Sequence, residues 1–138
     1  MRVVILGSGR TGTSLVTALA EEGDQVTLIE IDRRQLDRLP ASMSENDSIR
    51  IIYGDGTLSE TLARAQLEDA DLFISVTGQD TVNGLAAQKA KLIFEVGQVI
   101  ARVRDPSLAE LYSSLDLGIY CPTDVAVSNI VESVTREG

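Results

Sequence analysis

Six residues near the start of the chain, Gly7-Ser8-Gly9-Arg10-Thr11-Gly12, restrict its fold more than any other stretch. They follow an apolar run, Val3-Val4-Ile5-Leu6, which is short and rich in β-branched residues, as a buried strand is. They lead directly into a helical pattern that sets Leu15, Val16 and Leu19 on one face and ends near Gly23. A second apolar strand, Val26 to Ile29, ends in Glu30. Gly7 permits the tight strand-to-helix turn, Gly9 lets the backbone approach a pyrophosphate, and Gly12 lets the helix pack close to the sheet. The helix start carries unpaired N–H groups and the positive dipole end, so a phosphate is favoured there. An acid about 20 residues past the turn, at the end of the second strand, can accept hydrogen bonds from both hydroxyls of an adenosine ribose. Strand, turn, helix and acid in this order predict an adenine-nucleotide site.

The rest of the chain alternates in the same way. Asp32 opens a short polar segment up to Pro40, with Asp32 and Gln35 spaced as a helix cap and its reciprocal partner. Arg33 and Arg34 are expected to face solvent, and Glu30 would repel a 2′-phosphate, which favours nucleotides lacking one. Ala41 to Asp47 is polar and reads as a loop. Ile49 to Tyr53 is a third strand, ended by Gly54-Asp55-Gly56-Thr57, and Thr57 with Glu60 predicts a capping box for a short helix to about Ala65. Asp55 has two open readings, turn chemistry and a place near the adenine.

Leu72 to Val76 is a fourth strand. In a doubly wound sheet it adds on the far side of the first strand, which brings Thr77-Gly78-Gln79-Asp80 to the crevice opposite the glycine turn. Thr77 is expected to cap a helix that continues to about Leu92, whereas Asn83, one turn past Asp80, is not explained by capping. Gln98 to Val103 is a fifth strand, and the charge of Arg102 inside it calls for a counter-ion such as Asp80 or for a phosphate. Asp105-Pro106 starts a helix with Leu108, Leu111, Tyr112 and Leu115 on one face, a core or partner surface. Gly118 to Tyr120 is a sixth strand, and Pro122 begins a last helix with a stripe of Val127, Ile130, Val131 and Val134. The expected fold is α/β, a doubly wound parallel six-stranded sheet of order 3-2-1-4-5-6.

Composition narrows the function. The 138 residues fit one domain, and a net charge of −9 argues against nucleic acid, whose phosphates such a surface repels. No apolar run approaches the ~20 residues of a membrane span, and the first one is too short for a signal peptide, so a cytoplasmic location is expected. Cys121 is the only cysteine, which rules out an internal disulfide and suits a small buried residue. The chain has no histidine, so the commonest general acid–base and metal ligand are both missing. Tyr53, Tyr112 and Tyr120 have no lysine four residues on, so the Tyr-x-x-x-Lys dyad of short-chain dehydrogenases is missing too. No catalytic residue and no metal ligand are assigned. An NAD-dependent oxidoreductase and a nucleotide-binding module with some other partner are the competing readings.

Three motifs coincide: GSGRTG with Glu30, GDGT at 54–57, and Thr77-x-x-Asp80-x-x-Asn83, followed by Ala101-Arg102-Val103 and Asp105-Pro106. Together they resemble the RCK N-terminal domain, also called KTN or TrkA-N, which regulates potassium channels and transporters. The resemblance runs from Met1 to about Val134. It implies a Rossmann-like nucleotide-binding core over 1–121 and a crossover helix over 122–138; family members usually carry a smaller C-terminal lobe after that helix, and its expected absence here is a departure from the family pattern. It also implies NAD(H) or ATP/ADP as ligand, assembly into dimers or rings, and a membrane potassium channel or transporter subunit as partner.

By motif match, the resemblance implies that Gly7, Ser8, Gly9, Arg10, Thr11 and Gly12 hold phosphates. Glu30 takes the ribose, with Ile31, Asp32 and Arg33 beside it. Asp55, Gly56 and Thr57 lie by the adenine. Thr77, Gly78, Asp80 and Asn83 line the crevice, and Arg10 and Arg102 meet terminal phosphates.

Overall fold

The central apolar runs form strands because each is buried on both faces, the pattern of a parallel sheet covered by helices, while the two edge runs, Ile49–Tyr53 and Gly118–Tyr120, stay partly exposed. The computed structural model describes residues 1–137; Gly138, the last residue of the expected crossover segment, lies outside the described residues. Strands β1 (Arg2–Leu6), β2 (Gln25–Glu30), β3 (Ile49–Tyr53), β4 (Leu72–Ser75), β5 (Gln98–Arg102) and β6 (Gly118–Tyr120) make one sheet in the order β3-β2-β1-β4-β5-β6. Every pairing is parallel, with Leu6 opposite Ile29 on one side and Ser75 on the other. The expected order and Rossmann-like architecture are those observed. Because the order reverses at β1, a crevice opens beyond the carboxyl ends of β1 and β4, where such sheets bind ligands.

Side chains alternate across the sheet with the strand period of two. Val3 and Ile5 of β1 pack with Val26, Leu28, Ile74 and Val16 on the face covered by α1 (Arg10–Glu21). Val4 and Leu6 join Ile29, Phe73 and Leu62 on the opposite face, under α4 (Ser59–Arg64), α5 (Asp80–Leu92) and α6 (Pro106–Ser114). Ala86, Ala87 and Ala90 let α5 lie close to the sheet, and a Cβ at Gly84 would overlap the ring of Tyr112, so that ring of α6 packs directly on the α5 backbone there.

Some local expectations are corrected. Ala41 to Asp47 is not all loop: α3 (Ala41–Ser44) forms after Pro40, because Met43 is buried in the α1-side core and pins one turn. Asp32 does cap α2 (Arg33–Asp37), its carboxylate accepting the Arg34 N–H at 2.9 Å. The capping box at Thr57 does not form; α4 begins after Leu58, and the Thr57 hydroxyl donates instead to Asp55 at 2.7 Å. Thr77 is likewise no cap, since α5 begins after Gln79. The α6 face divides, with Leu108 and Tyr112 against the core and Leu111 and Leu115 exposed. In α7 (Pro122–Glu137) the whole stripe of Val127, Ile130, Val131 and Val134 is more than half exposed. Cys121 is buried, as expected.

Candidate nucleotide-binding site

A cleft of about 900 Å³ lies at the switch point of the sheet, between the ends of β1, β2 and β4. Its floor is the glycine turn. Gly7 has φ +109°, a conformation side chains avoid, and a Cβ there would press on the Val76–Thr77 peptide at 2.9–3.0 Å. A Cβ on Gly12 would overlap the carbonyl oxygen of Gly7, so this glycine is what seats α1 against the turn. At Gly9 a Cβ would meet no protein atom within 4 Å. Gly9 is also the N-cap of α1, with no side chain bonded to the helix start and no acid in the first turn. The positive end of a twelve-residue helix therefore points into the cleft without a counter-group from its own turn.

Glu30 closes one side. It is 9% exposed, and its Oε1 accepts from the Ser8 N–H at 2.8 Å and the Ser8 hydroxyl at 2.7 Å, while Oε2 accepts from the Asp32 N–H at 2.9 Å. Nearby, the Asp55 carboxylate accepts the Thr57 N–H at 2.9 Å as well as the Thr57 hydroxyl. Those two bonds, hydroxyl first, hold the Asp55 carboxyl below its ordinary value of 3.8, and Lys89 adds to the effect. Lys89 itself donates to the Thr57 carbonyl at 2.5 Å.

The opposite wall is built on Asn83, which is 1% exposed. Its Oδ1 accepts the Thr77 N–H at 2.9 Å and the Thr77 hydroxyl at 2.6 Å; its Nδ2 donates to the carbonyls of Thr77 at 3.0 Å and Arg102 at 2.8 Å. The side-chain amide thus makes four hydrogen bonds, using its full capacity. Arg102 reaches across the wall: Nη1 donates to the Thr11 hydroxyl at 2.9 Å, and Nη2 to the carbonyls of Val76 and Thr77 at 2.8 and 3.1 Å. Its Nε is buried with no partner. Burial, and secondarily the neighbouring Arg104, pull its pKa below the usual arginine range, and the group stays a cation facing the glycine turn.

The cleft is therefore bipolar, with Arg10, Arg102 and Arg104 lining one part and Glu30, Asp32 and Asp55 another. Such an arrangement can hold an anion at the helix start and a polyol or base with donor groups toward Glu30 and Asp55. Among the described residues, no group of three or more His, Cys, Asp or Glu could hold a metal ion.

The family model described as the TrkA-N domain matches residues 3–128. The chain belongs to the TrkA-N family. The Trk system potassium uptake protein TrkA of Streptomyces coelicolor is 37% identical over 117 residues, a stretch that is 85% of this chain and 51% of the relative. This TrkA-N chain thus spans about half the length of that relative. Among solved structures, the TrkA-N domain of the inner membrane protein ybaL from Escherichia coli has a TM-score of 0.81 at 19% identity, covering 95% of this chain and 94% of that one. The GsuK channel bound to NAD has a TM-score of 0.70 at 18% identity, covering 88% of this chain and 21% of that one, and GsuK has also been solved bound to ADP. These low identities establish a shared fold.

Most residues expected at the site of this TrkA-N domain are brought together. Gly7, Ser8, Gly9, Arg10 and Thr11 line the cleft, as do Glu30, Ile31 and Asp32, then Asp55, Gly56 and Thr57, and finally Thr77, Gly78 and Arg102. Four expected residues are placed elsewhere. Gly12 lies beneath the turn, and Arg33 sits over the Tyr53 ring, 5.1 Å from its centroid. Asp80 accepts the main-chain N–H groups of Arg104 at 2.9 Å and Asp105 at 3.0 Å, and Asn83 stands behind Thr77. Arg102 is met by carbonyls and a hydroxyl rather than by Asp80. Sequence reading missed Arg104 and Gln35 as cleft-lining residues, and brought Gln79 to the crevice without assigning it to the site. The Arg102-Val103-Arg104 alternation at the end of an apolar strand was the available signal for Arg104.

Proposed function

We propose that this TrkA-N domain is the nucleotide-sensing part of a regulator of potassium uptake. It binds NAD(H) or ATP/ADP in the cleft and passes the ligand's state to a membrane transporter or channel subunit. The observation that carries this reading is the uncapped start of α1, faced by Arg102 on one side and flanked by the buried Glu30 on the other. The diphosphate sits on the turn, the ribose donates toward Glu30, the adenine lies by Asp55 and Thr57, and Arg102 meets phosphate oxygens. The match to TrkA of Streptomyces coelicolor and the NAD- and ADP-bound structures of GsuK support the ligand class and the regulatory role. A non-catalytic role is also supported by the TrkA-N family match and by the relative named as a potassium uptake protein.

Residues 1–121 act as the nucleotide-binding core and α7 (Pro122–Glu137) as the crossover helix. The exposed stripe of α7 supports a homodimer, which itself can be part of a ring at the cytoplasmic face of the membrane. A ligand shifts such an assembly only through its differential affinity for two arrangements; a twentyfold preference corresponds to about 1.8 kcal/mol. Native mass spectrometry of freshly purified protein tests the reading. Co-purifying NAD(H), ATP or ADP supports it, and a protein that neither retains nor takes up any of them is not a nucleotide sensor.

A further inference from the structure

The Glu30 carboxylate has about four lone-pair places for hydrogen-bond donors. Three are filled by the protein itself: the Ser8 N–H and Ser8 hydroxyl at Oε1, and the Asp32 N–H at Oε2. Oε1 is full, and Oε2 has one place left. A ribose diol clasped in the expected way needs one place on each oxygen, so the second of its hydroxyls has nowhere to go while the Ser8 hydroxyl stays. The two main-chain N–H groups already fix the carboxylate, one at each oxygen. The Ser8 hydroxyl is therefore not needed to aim Glu30. Because Ser8 is 4% exposed, its side chain is set to act on a ligand through Glu30 rather than by broad contact of its own.

We propose that Ser8 is a specificity-determining residue whose hydroxyl competes with the ribose diol for Glu30. It thereby weakens the grip on nucleotides that carry both free hydroxyls and blunts discrimination against those that carry one. The inference rests on the cleft being a nucleotide site with Glu30 at the sugar. Its physical sense is exchange: a sensor that releases its ligand readily tracks concentration, and an internal competitor for the sugar acid lowers affinity without removing that acid.

Titration calorimetry with ADP and 2′-deoxy-ADP tests this on the wild type and on Ser8→Ala. In the wild type the two ligands should bind within about threefold of each other, since only one place is open, which one hydroxyl can fill. In Ser8→Ala, ADP should bind about fivefold tighter while 2′-deoxy-ADP stays unchanged, so that discrimination appears where there was little. Weaker ADP binding by Ser8→Ala would show that the hydroxyl positions Glu30, and an equal shift for both ligands would show that it acts on the phosphate turn; either result overturns the competition. Wild-type preference for ADP above tenfold overturns it as well, without needing the variant to fold. No ADP binding by the wild type sinks the nucleotide site and this inference together, whereas the other failures leave the site standing.

Discussion

The side chain of Asn83 donates from Nδ2 to the main-chain carbonyl of Arg102 at 2.8 Å, joining the first turns of α5 to the end of β5. Its other three hydrogen bonds all go to Thr77, so a single buried amide fixes the two segments that form one wall of the cleft. Asn83→Ala removes the side-chain partners of the Arg102 carbonyl and the Thr77 N–H in a partly buried wall, and leaves the Thr77 carbonyl with Arg102 Nη2 alone. The expected loss is about 2–4 kcal/mol, read from chemical denaturation of the two proteins. A loss below about 0.5 kcal/mol would mean that the wall is held by something else.

Two glycines only three residues apart should behave in opposite ways. Gly12→Ala drives a methyl into the Gly7 carbonyl and should cost about 3 kcal/mol of stability as α1 is pushed off the sheet. Gly9→Ala meets no protein atom, so its melting temperature should stay close to the wild type. Its methyl stands at the helix start in the cleft and should weaken ADP binding by about tenfold or more. Thermal melts and calorimetry on the pair separate packing from ligand approach.

Removing the charges of the cleft should separate its two ends. Glu30→Ala should weaken ADP and adenosine alike, by about tenfold, because both carry the ribose. Arg102→Gln should weaken ADP by a similar factor and leave adenosine unchanged, because adenosine has no phosphate for the guanidinium to meet. Competition titrations with the two ligands decide this; if Arg102→Gln affects adenosine as strongly as ADP, Arg102 shapes the cleft and does not read phosphate.

Much of this was legible because strands buried on both faces read as apolar runs and the glycine turn announces itself between strand and helix. The cap assignments failed for a common reason. Thr57 and Thr77 stand at the spacing of caps, but each hydroxyl finds a better-placed acceptor, Asp55 in the turn before α4 and Asn83 from inside α5. Arg102 and Asp80 were natural partners by charge; main-chain N–H groups of the β5–α6 connection take the carboxylate first. The Asp80 bonds, like the contact between Asn83 and Arg102, join atoms about 20 residues apart that local spacing does not record, whereas the Thr57 and Thr77 bonds are local and turn on which nearby acceptor the hydroxyl meets. The short α3 was hidden because one buried methionine in a polar stretch gives no periodicity.

The Asp55 turn carries a pH signature. Its carboxyl is held below 3.8, so the folded state favours the ionised form, and this stabilisation is present above 3.8 and fades as pH falls through the lower folded value. Asp55→Asn should be somewhat less stable than the wild type near pH 7, with the gap closing below pH 3.8. Melting curves across that range give the comparison, and a gap independent of pH would show that ionisation of Asp55 does not support the turn.

The stripe on α7 predicts its own behaviour. Ile130 and Val131 are 63% and 54% exposed in the single chain. Changing both to glutamate should leave the fold unchanged and convert a dimer to a monomer in light scattering. An unchanged mass assigns the subunit contact to another surface.

The near-contact of Gly12 with the Gly7 carbonyl has a mechanical meaning. Helix α1 has no slack against the strand behind it, so that half of the molecule behaves as an anvil. Across the crevice α5, the end of β5 and the start of α6 are joined instead by side-chain bonds to the main chain, so one side is set by backbone contact and the other by a few polar groups.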